Sequence, residues 1–231
     1  MNDPIPSKAP LHRDRRYTAT LLNRTDLSEN VFEIELSRPD SLDFIPGHNI
    51  RLYYNDLERY YSIVNKPDEQ RLALLVRRVD GGTISNVLAS ADIGTQFELT
   101  GPHGYFNFSP SSRPPVFVAT DTGIAPFVSM ARSGIQDFIL FHEIDHPQNL
   151  YYESVFRRSR CQFFPCVSGA DVVDRVPSGA FQVDVSECVR KELRSGEFDF
   201  YLCGRRKMIR DLTKLVDDSF PGSLVYREVF F

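Results

Sequence analysis

Arg59, Tyr61 and Ser62 fall within one short run, and Gly81-Gly82-Thr83-Ile84-Ser85 follows downstream. On a strand, residues two apart share a face, so Arg59 and Tyr61 point one way and Ser62 the other. An arginine offers a charge-assisted fork to a phosphate, and a tyrosine offers a flat amphipathic surface to a ring; the pair suits a flavin nucleotide. An edge strand with an exposed Arg and Tyr would carry the same residues. The glycine pair adds a second phosphate-directed feature. Gly81 and Gly82 before a helix start let the backbone come close to an anion, which the free N–H groups and the Ser85 hydroxyl can bind. The competing account is a hairpin turn capped by Ser85.

Three further strings lie at strand ends. Thr120-Asp121-Thr122-Gly123-Ile124-Ala125-Pro126 follows the apolar run Val116–Ala119 and opens a helical stretch, the position where open α/β sheets bind nucleotides. Asp121 is a carboxylate that would repel a pyrophosphate unless its side chain turns away. Cys203-Gly204 closes the run Asp199-Phe200-Tyr201-Leu202, and a polarizable sulfur there suits contact with an aromatic ring. The chain closes on Glu228-Val229-Phe230-Phe231, two aromatics that either cover a ligand or dock into the core.

The elements that must position these residues fall into two textures. Residues 1–16 are polar and aperiodic and read as a flexible arm. From Tyr17 short alternating runs (Tyr17–Leu22, Val31–Leu36, Asn49–Tyr54, Tyr60–Val64, Leu72–Val79, Gln96–Thr100), punctuated by Pro46-Gly47, Pro67-Asp68 and Gly81-Gly82, predict a small antiparallel β-barrel over residues 17–110. Ser109–Pro115 reads as a linker. Over residues 111–231, apolar runs at Val116–Ala119, Phe138–Phe141, Cys161–Val167, Phe198–Leu202 and Leu224–Glu228 alternate with helical patterns. These helices are expected at Ala125–Ser133 and near Leu150–Arg157, Val185–Ser195 and Lys207–Asp218, which predicts a doubly wound parallel sheet.

Bulk properties narrow the function classes. The chain has 231 residues, 42% hydrophobic and 25% charged, with a net charge of −4, values that exclude a disordered or fibrous class. The acidic balance disfavours nucleic acid. No apolar run approaches membrane-spanning length, and the first residues lack the order of a signal peptide, so a cytoplasmic protein is expected. Cys161, Cys166, Cys188 and Cys203 form no paired framework. The Cys161–Cys166 spacing opens a plant-type iron–sulfur pattern, but Gly169 stands where its third cysteine belongs. His142-Glu143-Ile144-Asp145-His146 matches the zinc-peptidase string, yet it follows a strand-like run and meets Pro147, so no metal is expected. Arg13-Arg15-Arg16, Arg157-Arg158-Arg160 and Arg205-Arg206-Lys207 are candidate docking patches for a small acidic protein.

Taken in order, the five strings resemble the ferredoxin-NADP reductase family, from about Tyr17 to the last residue. The resemblance implies a flavin-binding barrel followed by a nicotinamide dinucleotide-binding α/β domain. It implies FAD as cofactor, held by Arg59, Tyr60, Tyr61, Ser62 and the loop Gly81, Gly82, Thr83, Ile84 and Ser85, with the Ser62 hydroxyl facing the flavin N5. Thr120, Asp121, Thr122, Gly123, Ile124, Pro126, Cys203 and Gly204 would line the dinucleotide, with Cys203 beside the nicotinamide. Phe230 would cover the flavin, with Phe231 as an extension, and Glu228 would relay protons or tune the site. NADPH-specific members place cations or polar partners where this chain has Glu143 to Asp145, Ser168-Gly169 and Gln182, so NADH is favoured, with Glu143 at the ribose hydroxyls. The implied activity is hydride transfer between NAD(P)H and FAD, with single electrons passed to a separate carrier such as ferredoxin, flavodoxin or an oxygenase iron–sulfur component. A reductase for free flavin or quinone and a non-enzymatic flavin-binding redox sensor are the alternatives.

Overall fold

The computed structural model describes residues 15–169 and 179–230. Most of the expected arm and Phe231 lie outside them. The first unit is built from β1 (Arg16–Asp26), β2 (Val31–Ser37), β3 (Asn49–Tyr54), β4 (Leu57–Ser62), β5 (Arg71–Arg77) and β6 (Gln96–His103), with helix α1 (Ile84–Ser90) between β5 and β6. These form a six-stranded sheet in the order β4-β3-β6-β1-β2-β5, with antiparallel pairing throughout. An antiparallel bridge from Ile63 to Leu74 joins the two edge strands and closes the barrel, leaving little open edge. Inward-facing Leu21, Ile34, Leu36, Ile50, Leu52, Leu72, Leu74 and Leu99 fill its interior.

The second unit contains β7 (Pro115–Thr120), α2 (Ala125–Arg132), β8 (Phe138–Ile144), α3 (Glu153–Arg158), β9 (Cys161–Val167), α4 (Val185–Glu192), β10 (Asp199–Arg205), α5 (Arg206–Ser219) and β11 (Leu224–Phe230). Its five parallel strands run β11-β10-β7-β8-β9. The chain moves outward from β7 to β9 and then returns to β10 on the other side of β7. The strand order therefore reverses between β7 and β10, and the crevice at that reversal is where such sheets take ligands.

Burial on both faces explains why β7 and β10 are nearly continuous apolar runs. Val116, Val118, Phe200 and Leu202 pack under α4 and α5. The alternate residues Phe117, Ala119, Tyr201 and Cys203 face the other way, into a core shared with Val31, Val64, Ala73, Leu75 and Phe106 of the barrel. The interface between the units is thus a true apolar core, with Phe106 of the barrel edge-on to Phe127 of α2 at 5.8 Å. Polar contacts fix its rim: Tyr152 donates to Glu33 Oε2 at 2.6 Å and Ser129 Oγ to the Asn65 carbonyl at 2.8 Å.

Several boundaries differ from the sequence expectations. β4 starts at Leu57, because Asn55, at φ 52°, makes a two-residue turn that pairs Tyr54 with Leu57. The stretch read as a linker is tied down: Ser111 Oγ and Arg113 Nε donate to the buried Asp199 at 2.5 and 2.6 Å. α4 ends at Glu192 rather than Ser195, and α3 begins at Glu153 rather than near Leu150.

Candidate active site

On the barrel, β4 carries Arg59, Tyr61 and Ser62. Tyr61 is half-buried against the barrel core, and burial pushes its phenol up to about 12, with the nearby Arg59 charge opposing. Arg59 reaches only the Glu58 carbonyl, at 2.8 Å, and among the described residues no carboxylate pairs with it. The Tyr60 ring is exposed; it lies edge-on to His103 at 5.6 Å and beneath the Arg51 guanidinium at 5.3 Å. Alternation along β4 therefore separates Tyr60 from the Arg59–Tyr61 face. Ser62 is buried, and among the described residues its Oγ has no hydrogen-bond partner.

The glycine loop lies at the start of α1. Gly81 has φ 72° with open space where a side chain would be, and a Cβ on Gly82 would meet Ser85 Oγ at 2.8 Å and the Val79 carbonyl at 2.9 Å. Ser85 Oγ accepts from the Val79 N–H at 3.3 Å, and Asn86 donates to the Gly82 carbonyl, so the loop shape is held from within. Thr83 and Ile84 lead into the helix, and Thr83 makes no side-chain cap to its first N–H groups.

At the sheet's reversal point the loop after β7 lies directly on the end of β10. A Cβ on Gly123 would fall 2.3 Å from the Cys203 carbonyl, and one on Gly204 would fall 2.1 Å from Thr120 Oγ1. Gly123 is therefore required by backbone contact, and Gly204 by the Thr120 side chain and its own φ of 138°. Thr120 Oγ1 also accepts from the Arg205 N–H at 2.8 Å, while Ile124 and Pro126 are buried beneath the loop and Thr122 is half-buried. Asp121 adopts φ 49°, a left-handed conformation that aspartate tolerates better than most side chains. Its carboxylate turns toward two cations: Arg77 Nη1 at 3.2 Å and, farther off, Arg205 Nε at 3.9 Å. Burial raises its pKa, as do Asp145 and Glu143, against the opposing pull of Arg205 and Arg77.

The two units bring their reactive candidates together through one residue that sequence reasoning missed. Asn49 on β3 pairs directly with Ser62 on β4, and its Nδ2 donates to Glu228 Oε1 at 3.0 Å. Glu228 in turn pairs across the parallel ladder with Cys203. Burial pushes the Glu228 carboxyl up to about 7, with the Asn49 hydrogen bond opposing. Burial, with Glu228 nearby, keeps the Cys203 thiol neutral, its pKa well above the ordinary value. Among the described residues, Ser62 Oγ, Asn49 Oδ1 and Glu228 Oε2 are all buried and without a partner. A group of unsatisfied polar atoms at a domain boundary calls for a ligand with matching donors and acceptors. A flavin ring edge and a nicotinamide meet that requirement. The signal for Asn49 in the sequence was slight, a polar residue opening an apolar strand.

Other expected residues are placed differently. Glu143 is not left free for a ribose: Oε2 accepts from the Val185 N–H at 2.8 Å and Oε1 pairs with Arg205. Asp145, two residues on, is the exposed carboxylate of that strand end. Phe230 is half-buried against the shared core, opposite Arg205 in the ladder. His142 lies on β8, fully buried, its pKa lowered to about 4 by burial, with Nε2 2.9 Å from the Asp121 carbonyl. His146 instead caps a short 3-10 turn, so the two imidazoles do not share a helix face. The basic clusters are locally paired: Arg157 with Glu153, Arg160 with Asp137 and Lys207 with Asp211. No described helix is long and apolar enough to cross a membrane.

Comparison with known proteins agrees with this division. Residues 18–108 match the family model described as an oxidoreductase FAD-binding domain, and residues 117–214 match that of an oxidoreductase NAD-binding domain. The chain is 27% identical over 215 residues to the toluate 1,2-dioxygenase electron transfer component of Pseudomonas putida, covering 87% of this chain and 63% of that protein. It is 35% identical over 128 residues to ferredoxin-NADP reductase B of Sorangium cellulosum, covering 52% of each. The chain thus spans about half to two thirds of the length of these curated relatives. A ferredoxin NADP+ reductase from Neisseria gonorrhoeae, solved with bound FAD and NADP, shares the fold with a TM-score of 0.80 at 22% identity, covering 94% of this chain and 99% of that one.

Proposed function

Since this chain belongs to the ferredoxin-NADP reductase family, its FAD-binding domain followed by its NAD-binding domain, we propose that it is an FAD-dependent oxidoreductase. In this reading it transfers hydride between NADH and FAD and passes single electrons to a separate carrier protein. The observation that carries the proposal is the buried group of Ser62 Oγ, Asn49 Oδ1 and Glu228 Oε2, unpartnered and assembled from both units beside Cys203. The electron-transfer name of the Pseudomonas relative supports a carrier as acceptor. We place the protein in the cytoplasm on the strength of its four free cysteines.

FAD bound here would supply the exchange between a hydride and single electrons. Arg59, with no carboxylate partner among the described residues, holds the pyrophosphate together with the N–H groups after Gly82, and Tyr61 supports the ring. The Ser62 hydroxyl is the hydrogen-bonding group at the reacting edge. Cys203, small, neutral and soft, packs against the nicotinamide and excludes water. With a carboxyl near 7, Glu228 can take or give a proton at neutral pH, and Asn49 fixes which oxygen does so. NADH is favoured because Asp145 leaves a carboxylate exposed at the end of β8, where a 2′-phosphate would be repelled.

Steady-state reduction of ferricyanide tests the assignment. NADH should support turnover with a higher kcat/KM than NADPH, and Ser62→Ala should lower kcat while the protein keeps its FAD. Equal turnover in Ser62→Ala would remove Ser62 from the site, and a clear NADPH preference would refute the role of Asp145.

A further inference from the structure

Arg205 follows the Cys203-Gly204 pair and looks from sequence like one member of a solvated basic cluster. The structure sets it elsewhere. It caps the end of β10 on one side of the crevice where the strand order reverses, and Asp121 closes the other side at the end of β7. Its backbone is fixed across that crevice by the hydrogen bond from its N–H to Thr120 Oγ1, at 2.8 Å.

Three carboxylates surround the guanidinium: Glu143 in direct contact, Asp145 at 3.5 Å and Asp121 at 3.9 Å. By formal charge this is no place for an anion. Depth reverses that impression. The Asp121 and Glu143 side chains are each 10% exposed, whereas those of Arg205 and Arg77 are 45% and 50% exposed. Asp121 and Glu143 lie underneath, whereas both arginines and Asp145, whose side chain is 49% exposed, face solvent. Asp121 is also closer to Arg77, at 3.2 Å, than to Arg205, so the two arginines share it and Arg205 keeps donors to spare. An arginine has five N–H groups. A contact at 3.9 Å and one to the half-exposed Asp145 at 3.5 Å are weak ones to exchange for a phosphate.

We propose that Arg205 is the residue that receives the diphosphate of the nicotinamide dinucleotide in this chain, its guanidinium held over the crevice by the buried carboxylate of Glu143. The proposal rests on the dinucleotide-binding reading above and adds the group that contacts the phosphates. It also removes the objection that Asp121 repels the ligand, because Asp121 is buried beneath the exposed Arg77 and Arg205.

The test is calorimetric titration of the purified flavoprotein with ADP-ribose, which carries the diphosphate and lacks the nicotinamide. Arg205→Gln should weaken binding about tenfold or more, the loss expected for a charge-assisted hydrogen bond. Arg205→Lys should recover part of it, and the salt dependence seen in the parent protein should be smaller in Arg205→Gln. Arg160→Gln, which removes a remote surface arginine paired with Asp137, should bind as the parent does. In turnover, KM for NADH should rise in Arg205→Gln while kcat stays within about twofold. Flavin absorbance and melting temperature report whether each variant is folded. Parent protein that binds ADP-ribose alongside an Arg205→Gln variant of unchanged affinity overturns the proposal and leaves the functional reading intact. Parent protein that binds neither ADP-ribose nor oxidised dinucleotide overturns both.

Discussion

Glu228→Gln should stabilise the protein in a pH-dependent way. The Glu228 carboxyl is raised from an ordinary 4.5 to about 7 by burial. The folded state therefore binds a proton more tightly than the unfolded chain, and stability falls as pH rises through that window. The favourable contribution is complete below about 4.5 and lost above about 7. A shift of that size costs about 3 kcal/mol once the group is fully ionised, and most of this should appear between pH 5 and pH 8. Glutamine keeps the shape and can still accept from Asn49 Nδ2, but it never ionises. The difference in unfolding free energy between Glu228→Gln and the parent should thus be small at pH 5 and grow by that amount at pH 8. Urea denaturation of both proteins at the two pH values, with equal flavin content, measures it. Parallel pH profiles would mean that Glu228 titrates normally and is not the buried acid described here.

Two other substitutions probe the two cofactor faces separately. Arg59→Ala should weaken FAD retention by about 1.5–3 kcal/mol, the contribution of a charge-assisted phosphate contact, read as flavin lost on gel filtration; full FAD occupancy would place the pyrophosphate elsewhere. Gly204→Ala puts a Cβ 2.1 Å from Thr120 Oγ1 at a φ of 138°, so it should abolish dinucleotide binding with FAD retained, and unchanged affinity for oxidised dinucleotide would contradict the packing described for the two loops.

Much of this architecture was legible because period-two alternation and buried apolar runs are direct consequences of one-sided and two-sided sheets. The glycine pairs were legible for a similar reason: Gly123 and Gly204 stand where no Cβ fits. What escaped had no local signature. The start of β4 hid in the polar Asp56-Leu57-Glu58, whose pairing is set by a turn at Asn55. Asn49 acquires its meaning only when β3, β4 and β11 converge. Glu143 looked available at a strand end, yet the N-terminus of α4 and Arg205 consume both its oxygens, and these partners lie 42 and 62 residues away in sequence. Arg205 read as part of a docking patch, and Arg77 carried no local signal, until the fold set Asp121 between them.

The central claim is that one flavin site spans both units and takes hydride from a nicotinamide. Anaerobic mixing of the purified protein with NADH, followed by the visible absorbance of its flavin, tests this most directly. The account predicts a yellow protein that releases FAD on denaturation and whose colour bleaches on adding NADH, faster than with NADPH at equal concentration. A protein that carries FAD and keeps its colour through an excess of NADH would contradict it.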